Sequence, residues 1–521
     1  MTPTSPAASV APPQRSMHPS GRSLAGDIRS ALRHEPLVPL AILTLIAAIV
    51  RASFLDMEMR LDEATTFNEF VLQPWRATIG KYWATNNHPL HSVLAKLCVD
   101  LLGRDPWVVR IPAFVAGVLL VPATFLAVTR MFTPRAAWFA AIAVAILPVF
   151  ILFSANARGY SMVALFASLQ WLAMRDALQR DRRASWILVA LLGALGVYTH
   201  LTMAFAYVGT VAWALVWMAR NGGIAPRRLA PLVVSGAASV AMAVLLYSPF
   251  VYFSGLDALI ANRNVSANSL GTLAQRLPIL LMRIGQSWSM GLPAWMAVAC
   301  GVLAGVAVLL SARGERAERA YPLVATLVVA AVVLASLRVP PPRAVLFLLP
   351  AILGAVGALF DKIATRRSRP QVAGVWAVAA VPLLTIGAAH LTQKPVRGRT
   401  ETGWMPEARP IYEHLQRTLQ PGDAIASLWL PRDILRYYYL QAGKGRAPLV
   451  PEVCPKPPHR LFLIVSPVEK LEDALEYTQL PVMLAPLAKH VDTMARYSIW
   501  VLDVPEGVPC PTRIGWRRPV D

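Results

Sequence analysis

The sequence predicts a polytopic α-helical membrane protein with a small soluble α/β domain at its C-terminal end. Three observations carry that prediction. Hydrophobic residues make up 56% of the 521-residue chain and charged residues only 15%. Apolar blocks of about 18 or more residues recur, each long enough to cross a hydrocarbon core. Beyond about residue 393 the blocks stop, and short apolar runs alternate with amphipathic ones, as strands alternate with helices.

Residues 1–35 are rich in Pro, Ser and Ala and lack the apolar stretch of a signal peptide. They read as a disordered cytoplasmic tail bearing Arg22, Arg29 and Arg33. Eleven transmembrane helices are predicted, at about 37–55, 110–129, 136–154, 161–178, 186–199, 203–219, 229–252, 291–311, 320–337, 343–360 and 371–390. Alternate loops carry the basic residues, including Arg130 and Arg135, Arg180 to Arg183, Arg227 and Arg228, Arg313 to Arg319, and Lys362 to Arg369. By the positive-inside rule those loops and the N-terminus are cytoplasmic and the C-terminus is outside.

One segment decides this topology. Residues 88–103 (HPLHSVLAKLCVDLLG) are apolar enough to suggest a span, but short and interrupted by His91, Lys96 and Asp100. A span there would reverse every later loop, so the segment reads as an amphipathic helix on the outer interface. The first outer loop is then large, about 56–110, with juxtamembrane helices. Residues 270–288, containing Arg276 and Arg283, read as a second interfacial element. The resulting organisation is a tail (1–35), a membrane domain (36–392) and an extracytoplasmic α/β domain (393–521). In the last, strands are expected at 424–430, 460–466 and 497–504, and helices at 407–419, 432–440 and 468–477.

The net charge of +21 would suggest nucleic acid in a soluble protein. Here the arginines punctuate apolar blocks and no basic stripe with interleaved aromatics appears, which excludes that partner. Cys98 and Cys300 lie in apolar segments, Cys454 and Cys510 in the polar C-terminal region. An extracytoplasmic location would allow those two to pair or leave two thiols. No internal repeat and no Gly-rich phosphate loop is found.

The topology gathers unusual polar residues at the outer face: Asp62 and Glu63 in the first loop, His88 farther along it, Arg110 at the second span, Arg158 and Tyr160 in a tight turn, His200 in another, and Arg343 after a proline run. Ionisable groups near membrane depth are costly and mark functional sites. Carboxylates beside several arginines suit a proton acceptor and an anionic head group, because the guanidinium fork matches phosphate. Arg110 and Arg343 have a second reading as snorkelling anchors, and Tyr160 as an interfacial aromatic.

The segments RLDEA (60–64), NHPLHSVLAKL (87–97), VVRIPAFVAG (108–117), ARGYSMVALFA (157–167), YTHLTMAF (198–205) and PRAVLFLLPAI (342–352) resemble the GT-C membrane glycosyltransferases. The similar branch is the bacterial one, akin to protein O-mannosyltransferases and lipid A aminoarabinose transferases. Two departures stand out: His88-Pro89-Leu90 where the family often has His-Pro-Pro, and Arg343-Ala344 where it often has Arg-Tyr.

The resemblance implies a sugar donor on a polyprenyl monophosphate, a lipid, glycan or protein acceptor, and a place in the inner (cytoplasmic) membrane, with the C-terminal domain periplasmic in a Gram-negative cell. It implies catalysis by Asp62 with Glu63, donor-phosphate binding by Arg110, Arg158 and Arg343, and substrate binding by His88, Tyr160 and His200. Some superfamily members use a divalent ion. No metal-ligand spacing is evident here, and a divalent metal stays open. The competing expectation is a transporter or flippase of a lipid-linked anion, with the same arginines in a midplane cavity.

Overall fold

A computed structural model describes residues 37–82, 86–257, 269–365, 367–392, 394–398, 401–444, 448–450, 457–508 and 510–512. The expected tail at 1–35 and Cys454 lie outside them. Cys510 is disulfide-bonded, and Cys98 and Cys300 are free.

Each segment expected to span is helical, and proline opens many of the helices. Pro106–Met131, Pro134–Ile146, Pro148–Ser154 and Pro226–Ser254 begin on the residue whose missing N–H costs nothing in a first turn. Among the described residues seven helices are long and apolar enough to cross a membrane. An eighth is counted if Pro134–Ile146 and Pro148–Ser154, bent by 56° at Leu147, form one span. Leu37–Ala52 and Arg183–Thr199 are apolar but shorter. Tyr160–Arg180 is less apolar because its neighbours bury it, so little of its surface would meet lipid. At the rim, Pro226–Ser254, Ala294–Ser311 and Arg369–His390 leave most of their apolar side chains unburied, as lipid-facing helices must.

The first outer loop folds into juxtamembrane helices, as expected: Leu61–Thr66, a π turn at Phe67–Val71, Trp75–Gly80 and Pro89–Leu102. Residues Leu270–Trp288, expected as a second interfacial element, form one helix. The C-terminal part holds a four-stranded sheet of β1 (Ala424–Ser427), β2 (Arg460–Val465), β3 (Lys489–Met494) and β4 (Tyr497–Asp503), in the order β1-β2-β4-β3. β1 is parallel to β2, and the other pairs are antiparallel. Two differences from the sequence reading have local causes. β3 is a mostly polar edge strand, so it gives no apolar signal. Leu428–Leu430, expected as strand, instead starts the helix Trp429–Gln441, whose first turn accepts Pro431.

Two of the four apolar cores among the described residues frame the site. The larger lies among Pro106–Met131, the bent pair, Tyr160–Arg180 and Leu349–Ala364, around Phe125, Phe150, Phe153 and Trp171. The second is shared. Met59, Phe67, Val108 and Ala157 from the membrane part pack with Ile411, Leu415, Ile434, Tyr437 and Ile499 from the C-terminal part. Arg104 Nη1 donates to Leu440 O and Tyr437 Oη donates to Arg104 O, which adds polar closure. The C-terminal part is therefore seated on the helices of residues 61–102, and the candidate site lies at that seat.

Candidate active site

The site is built on the six-residue helix Leu61–Thr66. Its first N–H groups need acceptors from elsewhere. Leu61 N–H donates to Gly403 O at 2.9 Å and Asp62 N–H to Thr402 O at 3.1 Å. Those carbonyls face the helix because Thr402 and Gly403 both lie in the left-handed region, at φ 68° and 77°. For a β-branched residue that conformation is costly and persists only where surroundings enforce it. Arg60 helps to enforce it, donating to Glu401 O at 2.8 Å and Val396 O at 3.2 Å.

The two adjacent acids then part company. Glu63 points into the protein and is fully buried. Its Oε1 accepts from Arg110 Nε at 2.8 Å and Ala157 N at 2.7 Å. Its Oε2 accepts from Arg110 Nη2 at 2.8 Å and Arg60 N at 3.1 Å. Burial pushes the Glu63 carboxyl up, but the charge of Arg110 and these hydrogen bonds outweigh it and hold the group below the ordinary carboxylate range. Arg110 uses its remaining donors on Leu55 O at 2.6 Å, Met57 O at 2.7 Å and Glu58 O at 3.2 Å. All five guanidinium N–H groups are engaged, so Arg110 has none to offer a phosphate. The expected phosphate ligand is instead the buried clasp of the first loop.

Asp62 points the other way and its side chain is 23% exposed. Its Oδ2 lies 2.9 Å from Arg158 Nη1 and 3.9 Å from Arg343 Nη2. Among the described residues its Oδ1 has no hydrogen-bond partner. Tyr160 joins the two arginines. Its hydroxyl accepts from Arg343 Nε at 2.9 Å and Arg158 Nη2 at 3.4 Å, with both guanidinium groups within 6 Å of its ring centroid. Among the described residues Arg158 Nε is buried without a partner. Unlike Arg110, these two arginines keep donors in reserve.

The expected histidines converge on the same ring. His88 meets Tyr160 edge-on at 4.8 Å and lies tilted against His200 at 4.4 Å. Gly159 N–H donates to His88 Nδ1 at 3.0 Å, so a neutral imidazole carries its proton on Nε2, which is buried with no partner among the described residues. A Cβ at Gly159 would lie 2.5 Å from Thr199 Cγ2 and 2.9 Å from that Nδ1, which explains the glycine. Burial, with Arg158 and His200 nearby, holds His88 well below the ordinary imidazole range. Burial, Arg158 and Arg343 lower His200 to about 3. Both rings are neutral at physiological pH.

Sequence reasoning missed three contributors. Asn86 donates from Nδ2 to Asp62 O at 3.0 Å and accepts from Arg158 on Oδ1, bridging acid and base. Asn156 Nδ2 donates to Thr402 Oγ1 at 3.4 Å. Thr402 comes from the far end of the chain. Only Asn86 had a local signal, as neighbour of the Asn87-His88-Pro89 run, and Asn87 itself accepts from Ser92 Oγ at 2.8 Å to start the next helix. Among the described residues no group of three or more His, Cys, Asp or Glu could hold a metal ion.

Comparison with known proteins adds to this geometry. Residues 86–253 match the family model described as dolichyl-phosphate-mannose-protein mannosyltransferase. No curated protein matches the chain in sequence. The crystal structure of ArnT from Cupriavidus metallidurans bound to undecaprenyl phosphate is similar at a TM-score of 0.61 and 14% identity, over 91% of this chain and 99% of that one. Its apo state is similar at 0.59 and 15%, over 88% and 97%. At such identity the likeness is one of fold: this chain has the GT-C fold expected from its motifs.

Proposed function

We propose that this chain is an integral-membrane glycosyltransferase, which moves a sugar from a polyprenyl-monophosphate donor to an acceptor hydroxyl. One observation carries the reading: a half-open carboxylate with an unengaged oxygen stands beside two arginines that hold unengaged donors and share one tyrosine. The matched mannosyltransferase segment and the undecaprenyl phosphate bound by the Cupriavidus protein support it.

Asp62 is the general base. Its Oδ1 takes the proton of the acceptor hydroxyl as that oxygen bonds to the anomeric carbon. The bond from that carbon to the phosphate oxygen breaks, and the electron pair leaves with the polyprenyl phosphate. One displacement inverts the anomeric centre. Arg158 and Arg343 stabilise the charge that grows on the leaving phosphate. Tyr160 fixes their spacing, and His88 and His200 offer neutral Nε2–H donors to sugar hydroxyls. Glu63 and Arg110 act behind the reacting groups, holding the loop that presents Asp62.

The reaction is placed at the outer face of the cytoplasmic membrane. The alternation of basic loops supports this orientation, with the N-terminus inside and the C-terminal domain outside. Cysteine labelling from outside will reach an engineered site at Gly422 and not one at Arg182; the opposite pattern would overturn the topology. In detergent, the enzyme will release polyprenyl phosphate from a polyprenyl-phosphate sugar when an acceptor is supplied. Intact donor after lipid, glycan and protein acceptors have been tried would favour the transporter.

A further inference from the structure

The break between Pro134–Ile146 and Pro148–Ser154 leaves a countable debt of hydrogen bonds. Leu147 N–H still reaches Ala143 O, at 2.8 Å, and closes the first helix. Pro148 has no N–H for Val144 O. Phe150 N–H, which would have served Ile146 O, bonds Leu147 O at 3.0 Å instead and starts the second helix. The carbonyls of Val144, Ala145 and Ile146 are thus orphaned within the span, where no water can serve them.

Two side chains from other helices accept the task. Arg51, at the end of Leu37–Ala52, donates from Nη2 to Val144 O at 2.8 Å and from Nη1 to Ala145 O at 2.9 Å. His390, the last residue of Arg369–His390, reaches Ile146 O from Nε2 at 2.5 Å. Arg51 also crosses the bend: its Nε donates to Ser154 Oγ at 3.1 Å, on the last residue of the second helix. Gly117 leaves the space, since a Cβ there would lie 1.9 Å from Ser154 Oγ. Arg51 is fully buried with no carboxylate within ion-pair distance among the described residues. A buried cation with only neutral acceptors is expensive, and a bent span could be capped more cheaply.

We propose that Arg51, assisted by His390, is a positioning residue: it locks the 56° bend and so sets the turn at residues 155–160. That turn delivers the Ala157 N–H to Glu63, Arg158 to Asp62, and the Gly159 N–H to His88. Arg51 touches no reacting group and acts through the broken helix.

The test combines Arg51→Met with Arg51→Met/Pro148→Ala. Alanine at 148 returns an N–H to Val144 O and lets the span straighten. Three quantities are read in full-length protein: thermal stability, amide exchange at Ala157 and Gly159, and affinity for undecaprenyl phosphate. The last rests on the function proposed above. Arg51→Met will lose stability, and exchange at both amides will quicken about tenfold or more as their packing loosens. The double variant will regain stability but keep fast exchange and weak lipid-phosphate binding. A merely stabilising Arg51 predicts that exchange and binding recover together with stability, and that result overturns the proposal. If Arg51→Met fails to fold, the double variant decides alone: wild-type exchange in it overturns the proposal. Should the wild type itself not bind undecaprenyl phosphate, the functional reading falls, and the exchange data still decide the latch.

Discussion

Asp62 and Glu63 are neighbours in sequence and opposites in structure. Glu63 is sealed, with four hydrogen bonds, and its arginine has every N–H engaged. Asp62 is partly exposed, keeps one oxygen unengaged, and faces two arginines with donors to spare. The same pairing of acid and arginine thus builds a clasp in one place and a reactive group in the other. What separates them is whether the hydrogen-bonding capacity is used up. A saturated pair can only hold the loop in place, whereas an unsaturated one can still bind an anion or take a proton.

The comparison breaks most sharply at Asp62. Asp62→Asn keeps shape and loses basicity, so turnover will fall about 10³–10⁴-fold in folded protein. Near-normal turnover in a purified assay would remove Asp62 from the role of base. On the sealed side, Arg110→Met strands a buried carboxylate and will cost about 3–5 kcal/mol of stability. Thermal unfolding in detergent measures it, and a loss of turnover without a loss of stability would show that Arg110 belongs to the open group instead.

Arg158→Lys keeps the charge and loses the planar fork that spans Asp62, Asn86 and Tyr160. A rate loss of about a hundredfold is expected, from one displaced donor to a developing anion. Wild-type rates for Lys at both 158 and 343 would leave these residues as anchors.

The smallest effect is at His91, which is fully buried with both ring nitrogens unpartnered among the described residues. Burial and then Arg158 lower it to about 3, against a weaker opposing pull from Glu63. The unfolded chain therefore binds more protons than the folded one between about pH 6.5 and 3, and stability falls as pH falls through that window. His88 and His200 act in the same sense. His91→Gln will shallow the decline of melting temperature between pH 6 and 4 without abolishing it. An unchanged slope would mean that water reaches the ring.

Much of this protein is written locally. Apolar length fixes the spanning segments, because only a helix satisfies its own backbone in lipid. Basic residues between alternate segments bring Asp62, His88, Arg158, Tyr160, His200 and Arg343 to one face on paper, and the fold brings them together. The alternation of strand and helix after residue 393 is legible for β1, β2 and β4, because each carries a short apolar run between amphipathic helices.

What the sequence could not decide is which acid is sealed. Glu63 is claimed by an arginine 47 residues away and Asp62 N–H by a carbonyl near residue 400, and neither partner has a periodic signal. The same holds for Asn86, for Thr402 with its enforced backbone, and for Arg51, which lies inside the first expected span and serves a break 93 residues on. Hydropathy records how each residue feels about water. Saturation of a hydrogen-bonding group depends on which acceptors the packed helices place within about 3 Å of it, and only the tertiary structure sets that distance.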